Sequence, residues 1–114
     1  MELQTELWVG ALLRRVAVAG AFATVARRGD RDAGAVLVKV ATLNGKARLY
    51  GPALSGEGET VWLDLSAGSL GDAERDVDAY ANKRAESDPD LWVVEIEDRH
   101  GRTFLTEPID HQAG

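Results

Sequence analysis

The 114-residue chain has no cysteine, only two histidines (His100 and His111), three prolines and few aromatics. Each shortage removes a class of chemistry. Without cysteine there is no disulfide scaffold, thiolate nucleophile or Cys-ligated zinc or iron–sulfur site. Two histidines exclude a His-rich metal site. No apolar run reaches the ~20 residues a bilayer span requires, and the first residues lack the basic segment, apolar run and cleavage site of a secretory signal. The expectation is a bacterial-type cytoplasmic protein with no membrane association and no cofactor.

What remains is 45% hydrophobic and 28% charged, enough for one compact domain and too little for two. Residues 1–108 are assigned to that domain, and 109–114 to a tail that frays beyond Pro108. The net charge of −6 hides an uneven distribution. The first fifty residues carry eight basic and four acidic side chains, a net +4, and the rest carry five and fifteen, a net −10. Such asymmetry marks either a basic surface for a nucleic acid or acidic partner, or two oppositely charged halves that pack together. The dispersal of the basic residues favours the second reading.

Hydrophobic periodicity sets the elements. From about Thr5 to Gly20, Trp8, Val9, Leu12, Leu13, Val16 and Ala19 gather on one side of an amphipathic helix. Phe22 to Arg28, Ala35 to Leu43, Ala47 to Tyr50 and Thr60 to Leu65 read as four strands. Asn44-Gly45 is the strongest short hairpin signal and predicts a two-residue type I′ turn. Val77, Tyr80, Ala81 and Ala85 repeat at helical spacing from Ala73 to Ser87, with acids crowding the first turns and Pro89 ending the helix. Leu91 to Glu97 and Arg102 to Leu105 complete the pattern. The predicted fold is α+β in the order α-β-β-β-β-α-β-β. Two helices pack on a mainly antiparallel sheet of five to six strands.

Seven residues are candidates for an interaction or ligand site: Arg27, Arg28, Asp30, Asp32, Lys39, Glu95 and Glu97. The first four lie in the charged connection Arg27 to Gly34, where Asp and Gly ordinarily make Asx-turns. As a calcium loop this segment fails, because Ala35 and Ala41 stand where a Gly and a bidentate acid are needed. Lys39 sits on an apolar strand and pairs readily with Glu95 across strands. Glu95 and Glu97 share a strand face at the solvated end of a mostly buried strand.

Known templates do not fit. The nuclease signature Asp…Glu-x-Lys breaks because Leu37 stands two residues before Lys39. A rearranged divalent-metal hydrolase site from Asp30, Asp32, Glu95 and Lys39 is the runner-up reading. Gly45-Lys46-Ala47 lacks the hydroxyl of a phosphate-binding loop, and no serine lies in a nucleophile-elbow sequence. Nucleic-acid binding through the basic first half is a third reading; Trp62 and Trp92, however, lie in acidic contexts unlike RNA-stacking strands. The leading expectation is a non-enzymatic binding or adaptor protein whose partner is another protein or a second copy. An exposed Trp62 beside an edge strand would mark such a contact.

Three separated segments occur in one order: Leu7-Trp8-Val9-x-Ala11-Leu12-Leu13-Arg14-Arg15, then Arg27-Arg28-Gly29-Asp30-x-Asp32-Ala33-Gly34-Ala35-Val36-Leu37-Val38-Lys39, then Asp88-Pro89-Asp90-Leu91-Trp92-Val93-Val94-Glu95-Ile96-Glu97-Asp98-Arg99. Together they resemble an alphaproteobacterial family, domain of unknown function 1491. The resemblance covers nearly the full chain and implies a bacterial, stand-alone, cytoplasmic protein. It brings no established activity, so it transfers no catalytic residue.

Overall fold

The computed structural model describes residues 4–110. Helix α1 (Thr5–Val18) leads into β1 (Phe22–Arg27), β2 (Val36–Ala41), β3 (Ala47–Leu54) and β4 (Thr60–Asp64). A short 3-10 turn at Leu65–Ala67 precedes helix α2 (Glu74–Ser87), followed by β5 (Trp92–Glu97) and β6 (Ile109–Asp110). The α+β class and the element order agree with the sequence reading.

The sheet is mixed rather than mainly antiparallel. Its six strands run β1-β5-β2-β3-β4-β6, with parallel pairs β2–β5 and β4–β6 and antiparallel pairs elsewhere. Sequence neighbours β1 and β2 do not pair. β5 enters between them: Trp92, Val94 and Ile96 are buried on one face and Leu91 and Val93 on the other, so the strand belongs in the middle of a covered sheet. β2 is buried along its whole length for the same reason.

The helices take opposite faces. Val9, Leu12 and Val16 of α1 pack with Val36, Val38, Val40, Tyr50, Trp62, Trp92, Val94 and Ile96. Val77 and Ala81 of α2 pack with Leu37, Leu49, Leu91 and Val93. Each large side chain so buried contributes about 1.5–3 kcal/mol, so the alternating residues of β2 and β5 hold two cores at once.

Helix α1 has no side-chain cap at Gln4. The amides of Thr5 and Glu6 instead donate to the carbonyls of Asp32 and Arg31, 3.3 and 3.0 Å away, which satisfies two of the orphan donors of a helix start. At the other end Gly20, with φ +81°, closes the helix through Gly20 N to Ala17 O and Ala21 N to Val16 O, a Schellman motif.

Two sequence expectations shift locally. The β2–β3 connection is a three-residue loop, Leu43-Asn44-Gly45, with positive φ at Leu43 and Gly45 instead of at Asn44 and Gly45. The Asn44 side chain accepts from Thr42 Oγ1 and Lys46 N at 2.6 and 3.2 Å, which stabilises the longer loop. The last strand is Ile109–Asp110 and not Arg102–Leu105. Asp98 ties the Arg102 backbone amide and guanidinium into a loop, so that segment cannot extend, and the chain pairs with β4 only after Pro108. The domain therefore continues past residue 108 through Asp110; residues 111–114 of the expected tail lie outside the described residues.

Candidate functional site

The Arg27 to Gly34 connection arches over the start of β5. Asp30 N donates to Asp90 O at 2.9 Å, and the Trp92 indole donates to Asp30 O at 2.6 Å. At Gly29 and Gly34 an added Cβ would fall on the Asp90 carbonyl oxygen, so the close crossing requires glycine. The Asp30 carboxylate accepts from Asp32 N and Ala33 N at 3.0 and 2.9 Å, the expected Asx-turn. Arg28 lies 5.0 Å from the centre of the Trp92 ring and pairs with Glu6.

The seven candidate residues divide between the faces of the sheet. Arg28 is drawn to the α1 side by Trp92, and Asp30 and Asp32 lie beside the start of α1. A bulge between Val25 and Arg27 sets Arg27 opposite Val93, on the α2 side. Lys39, Glu95 and Glu97 also emerge on the α2 side, and Lys39 stands opposite Glu95 in the parallel register. The structure thus brings Lys39 and Glu95 together and leaves Asp30 and Asp32 apart from them.

Sequence reasoning missed the rest of the Lys39 cluster. Glu74 and Asp78, one turn apart on α2, reach down to the same ammonium. Lys39 Nζ lies 2.8 Å from Glu74, 2.7 Å from Asp78 and 2.8 Å from Glu95. Lys39 itself is buried. Burial alone would lower its pKa, but the hydrogen bonds to Asp78, Glu74 and Glu95 prevail and hold it above the ordinary lysine value. A lysine in the middle of an apolar strand needs such partners from the covering helix; the i, i+4 acids flanking Val77 were the available signal. The ammonium occupies the point on which the carboxylates converge. Among the described residues no group of three or more His, Asp or Glu is arranged to hold a metal ion.

The second concave feature lies on the α1 side. A groove of about 500 Å³ is lined by Thr5, Trp8, Val36, Pro52, Trp62 and Glu107, among others, a size typical of ligand-binding clefts. Trp8 and Trp62 stack with centroids 5.5 Å apart. Trp62 Nε1 donates to Glu107 Oε1 at 3.0 Å. Burial pushes the Glu107 carboxyl up, but hydrogen bonds from Trp62, its own backbone, Trp8 and Thr106 outweigh it and hold the group below the ordinary carboxylate value. Trp62 is only 4% exposed, so it is a wall of the groove and not the exposed anchor considered from sequence.

The two charged halves of the chain meet in ion pairs. Lys39, Lys46 and Arg48 from the first half pair with Glu74, Asp78, Glu95, Asp72 and Asp64 from the second. No helix among the described residues is long and apolar enough to cross a membrane.

The model of a protein family of unknown function, DUF1491, matches residues 3–106. The chain is 55% identical to a DUF1491 family protein from Caulobacter crescentus CB15 whose crystal structure is known. That match covers 96% of this chain and all of the other, with a TM-score of 0.87. An NMR structure of a DUF1491 family protein from the same organism aligns at 54% identity over 97% of this chain and 99% of that one, with a TM-score of 0.83. A solution structure of a protein from A. tumefaciens aligns at 35% identity over 99% of this chain and all of that one, with a TM-score of 0.76. No curated protein matches the chain. The sequence match and the shared architecture agree along almost the whole length, and the chain belongs to the DUF1491 family, to which no function is assigned.

Proposed function

We propose that the chain is a non-enzymatic binding module of the bacterial cytoplasm that receives a short protein segment in the groove beside Trp8 and Trp62. The observation that carries this reading is the stacked indole pair lining a mainly apolar cleft, with the Glu107 carboxylate held ionised at its side. Aromatic walls supply contact area at little entropic cost, and a fixed anion sets the sign of the ligand. The occupant that fits is an apolar side chain flanked by Lys or Arg, with the apolar group on the indoles and the cation toward Glu107.

Reaction chemistry has less support. In the Lys39 cluster every carboxylate already faces the same ammonium, and the Asp30 carboxylate is engaged by its own turn. Selection of a random peptide library displayed on phage tests the reading. Enriched sequences are expected to share a hydrophobic residue next to Lys or Arg. Their synthetic peptides should perturb tryptophan fluorescence, bind Trp8→Ala at least tenfold more weakly, and lose affinity with salt. Absence of enrichment, or peptides that bind Trp8→Ala and the wild type equally, would refute it.

A further inference from the structure

Among the described residues β1 is the outermost strand on its side of the sheet and pairs only with β5. Its free edge presents backbone N–H and C=O groups that folded proteins usually blunt with lysine, proline or a covering segment. Phe22–Arg27 contains neither lysine nor proline, and its bulge comes only after Val25. Phe22 is 57% exposed and Val25 37%, and Val18, at the end of α1, is 84% exposed.

Two charges beside this edge have no counter-ion among the described residues. Arg27, at the end of β1, makes no ion pair among the described residues, and its Nε is buried without a hydrogen-bond partner. Glu97, opposite Phe22 at the end of β5, has no ion pair or side-chain hydrogen bond among the described residues. Both lie on the α2 side of the sheet. Within one chain they flank opposite ends of β1, about 16 Å apart at the usual rise of a strand.

We propose that two copies of this chain associate through β1, antiparallel about a two-fold axis near Thr24, and so join their sheets into one. The axis reverses the strand. Each Arg27 then lies beside the Phe22 ring of the other copy, with that copy's Glu97 one strand further in. Two strand spacings, about 10 Å, are bridged by an arginine and a glutamate side chain together. The contact forms twice, because an isologous interface repeats every pair. Parallel pairing would instead bring the two Arg27-Arg28 ends side by side, so charge selects the antiparallel copy. Phe22 and Val25 become internal to the joined sheet. A six-residue strand buries less surface than a standard stable interface, so the affinity is on the order of micromolar.

Sedimentation equilibrium at low salt is the test, with the charge-reversed variants Arg27→Glu, Glu97→Arg and the double reversal. The wild type is expected to show a monomer–dimer equilibrium. Each single reversal should weaken it about tenfold, and the double reversal should restore it to within about threefold. A wild type that stays monomeric at the highest concentration overturns the proposal, as does a dimer that ignores the single reversals or a double reversal no better than either. Because the chain has no cysteine, Thr24→Cys provides a second readout that does not depend on how the reversals fold. It should form a disulfide-linked dimer on mild oxidation, whereas Thr60→Cys on the far side of the sheet should not. Equal cross-linking at the two positions, or none at Thr24, also overturns it.

Discussion

The Lys39 ammonium and the Glu95 carboxylate stand 2.8 Å apart, directly opposite each other on neighbouring parallel strands. With Glu74 and Asp78 they tie β2, β5 and α2 to a single buried cation.

Removing that cation should leave three carboxylates facing one another. Lys39→Met is expected to cost about 2 kcal/mol. This is less than a fully buried pair, because Glu74, Asp78 and Glu95 keep roughly a third to a half of their side-chain surface in water. The loss corresponds to a fall of about 8 °C in Tm, measurable by calorimetry. Adding Glu74→Gln and Asp78→Asn should recover most of it. The pH response should also flatten at its alkaline end. The Lys39 pKa is raised, so the wild type keeps this contribution below the ordinary lysine pKa and loses it only as alkaline pH rises through the raised value. Lys39→Met, which has no ammonium to lose, should lack this alkaline decline.

Asp98 governs the acid limb. Hydrogen bonds from the Arg102 guanidinium, at 3.0 and 2.9 Å, outweigh burial, and with the Arg102 amide at 2.8 Å they hold the carboxyl down to about 2. A depressed carboxylate contributes stability above its unfolded pKa and loses it as pH falls toward the folded value. Asp98→Asn should therefore lower Tm at neutral pH and flatten the wild-type decline between roughly pH 4 and 2. Parallel Tm–pH curves for the two proteins would contradict this.

Gly34 and Gly56 make opposite predictions for the same substitution. A Cβ at Gly34 meets the Asp90 carbonyl and the Trp92 ring, whereas Gly56 has nothing within 4 Å. Gly34→Ala should cost at least 2–3 kcal/mol, since the crossing over β5 must move. Gly56→Ala should be neutral or stabilising by up to about 1 kcal/mol through the unfolded chain. Urea denaturation of the two variants side by side checks the contrast.

Glu107 should report on the indole pair. Its carboxyl is held below the ordinary value by donors that include Trp62 Nε1. Glu107→Gln, which weakens that acceptor, should reduce stability by about 1–2 kcal/mol at neutral pH and shift tryptophan emission. The difference from wild type should shrink as pH falls through the lowered value. An emission spectrum indifferent to both substitution and pH would show that the Glu107 contact does not hold in solution.

Residue pattern made the elements legible where one face or both faces of an element are apolar. Val9, Leu12 and Val16 define α1, and the valines of β2 and β5 announce covered strands. Their partners were less visible. A strand with apolar residues on both faces reads the same whether its neighbour runs parallel or antiparallel, so nothing in Leu91–Ile96 marks its insertion between β1 and β2. The Lys39–Glu95 pair followed from strand periodicity, whereas Glu74 and Asp78 looked like helix-start acids because their reach to Lys39 depends on where α2 lands. The groove was illegible for a related reason: Trp8, Trp62 and Glu107 come from three distant segments, and only the folded domain brings them together.

The central position of β5 also has a consequence for how the chain acquires its structure. β2 finds its inner neighbour half the chain later, in β5. Until residues 91–97 leave the ribosome, β1 and β2 flank an empty slot, with the backbone edge of β2 unpaired on that side. The decisive pairing is long-range and parallel, a topology associated with slow folding. A nascent chain stalled before Leu91 thus exposes two unsatisfied strand edges at once, which makes it a substrate for chaperones and prone to aggregate with other incomplete copies.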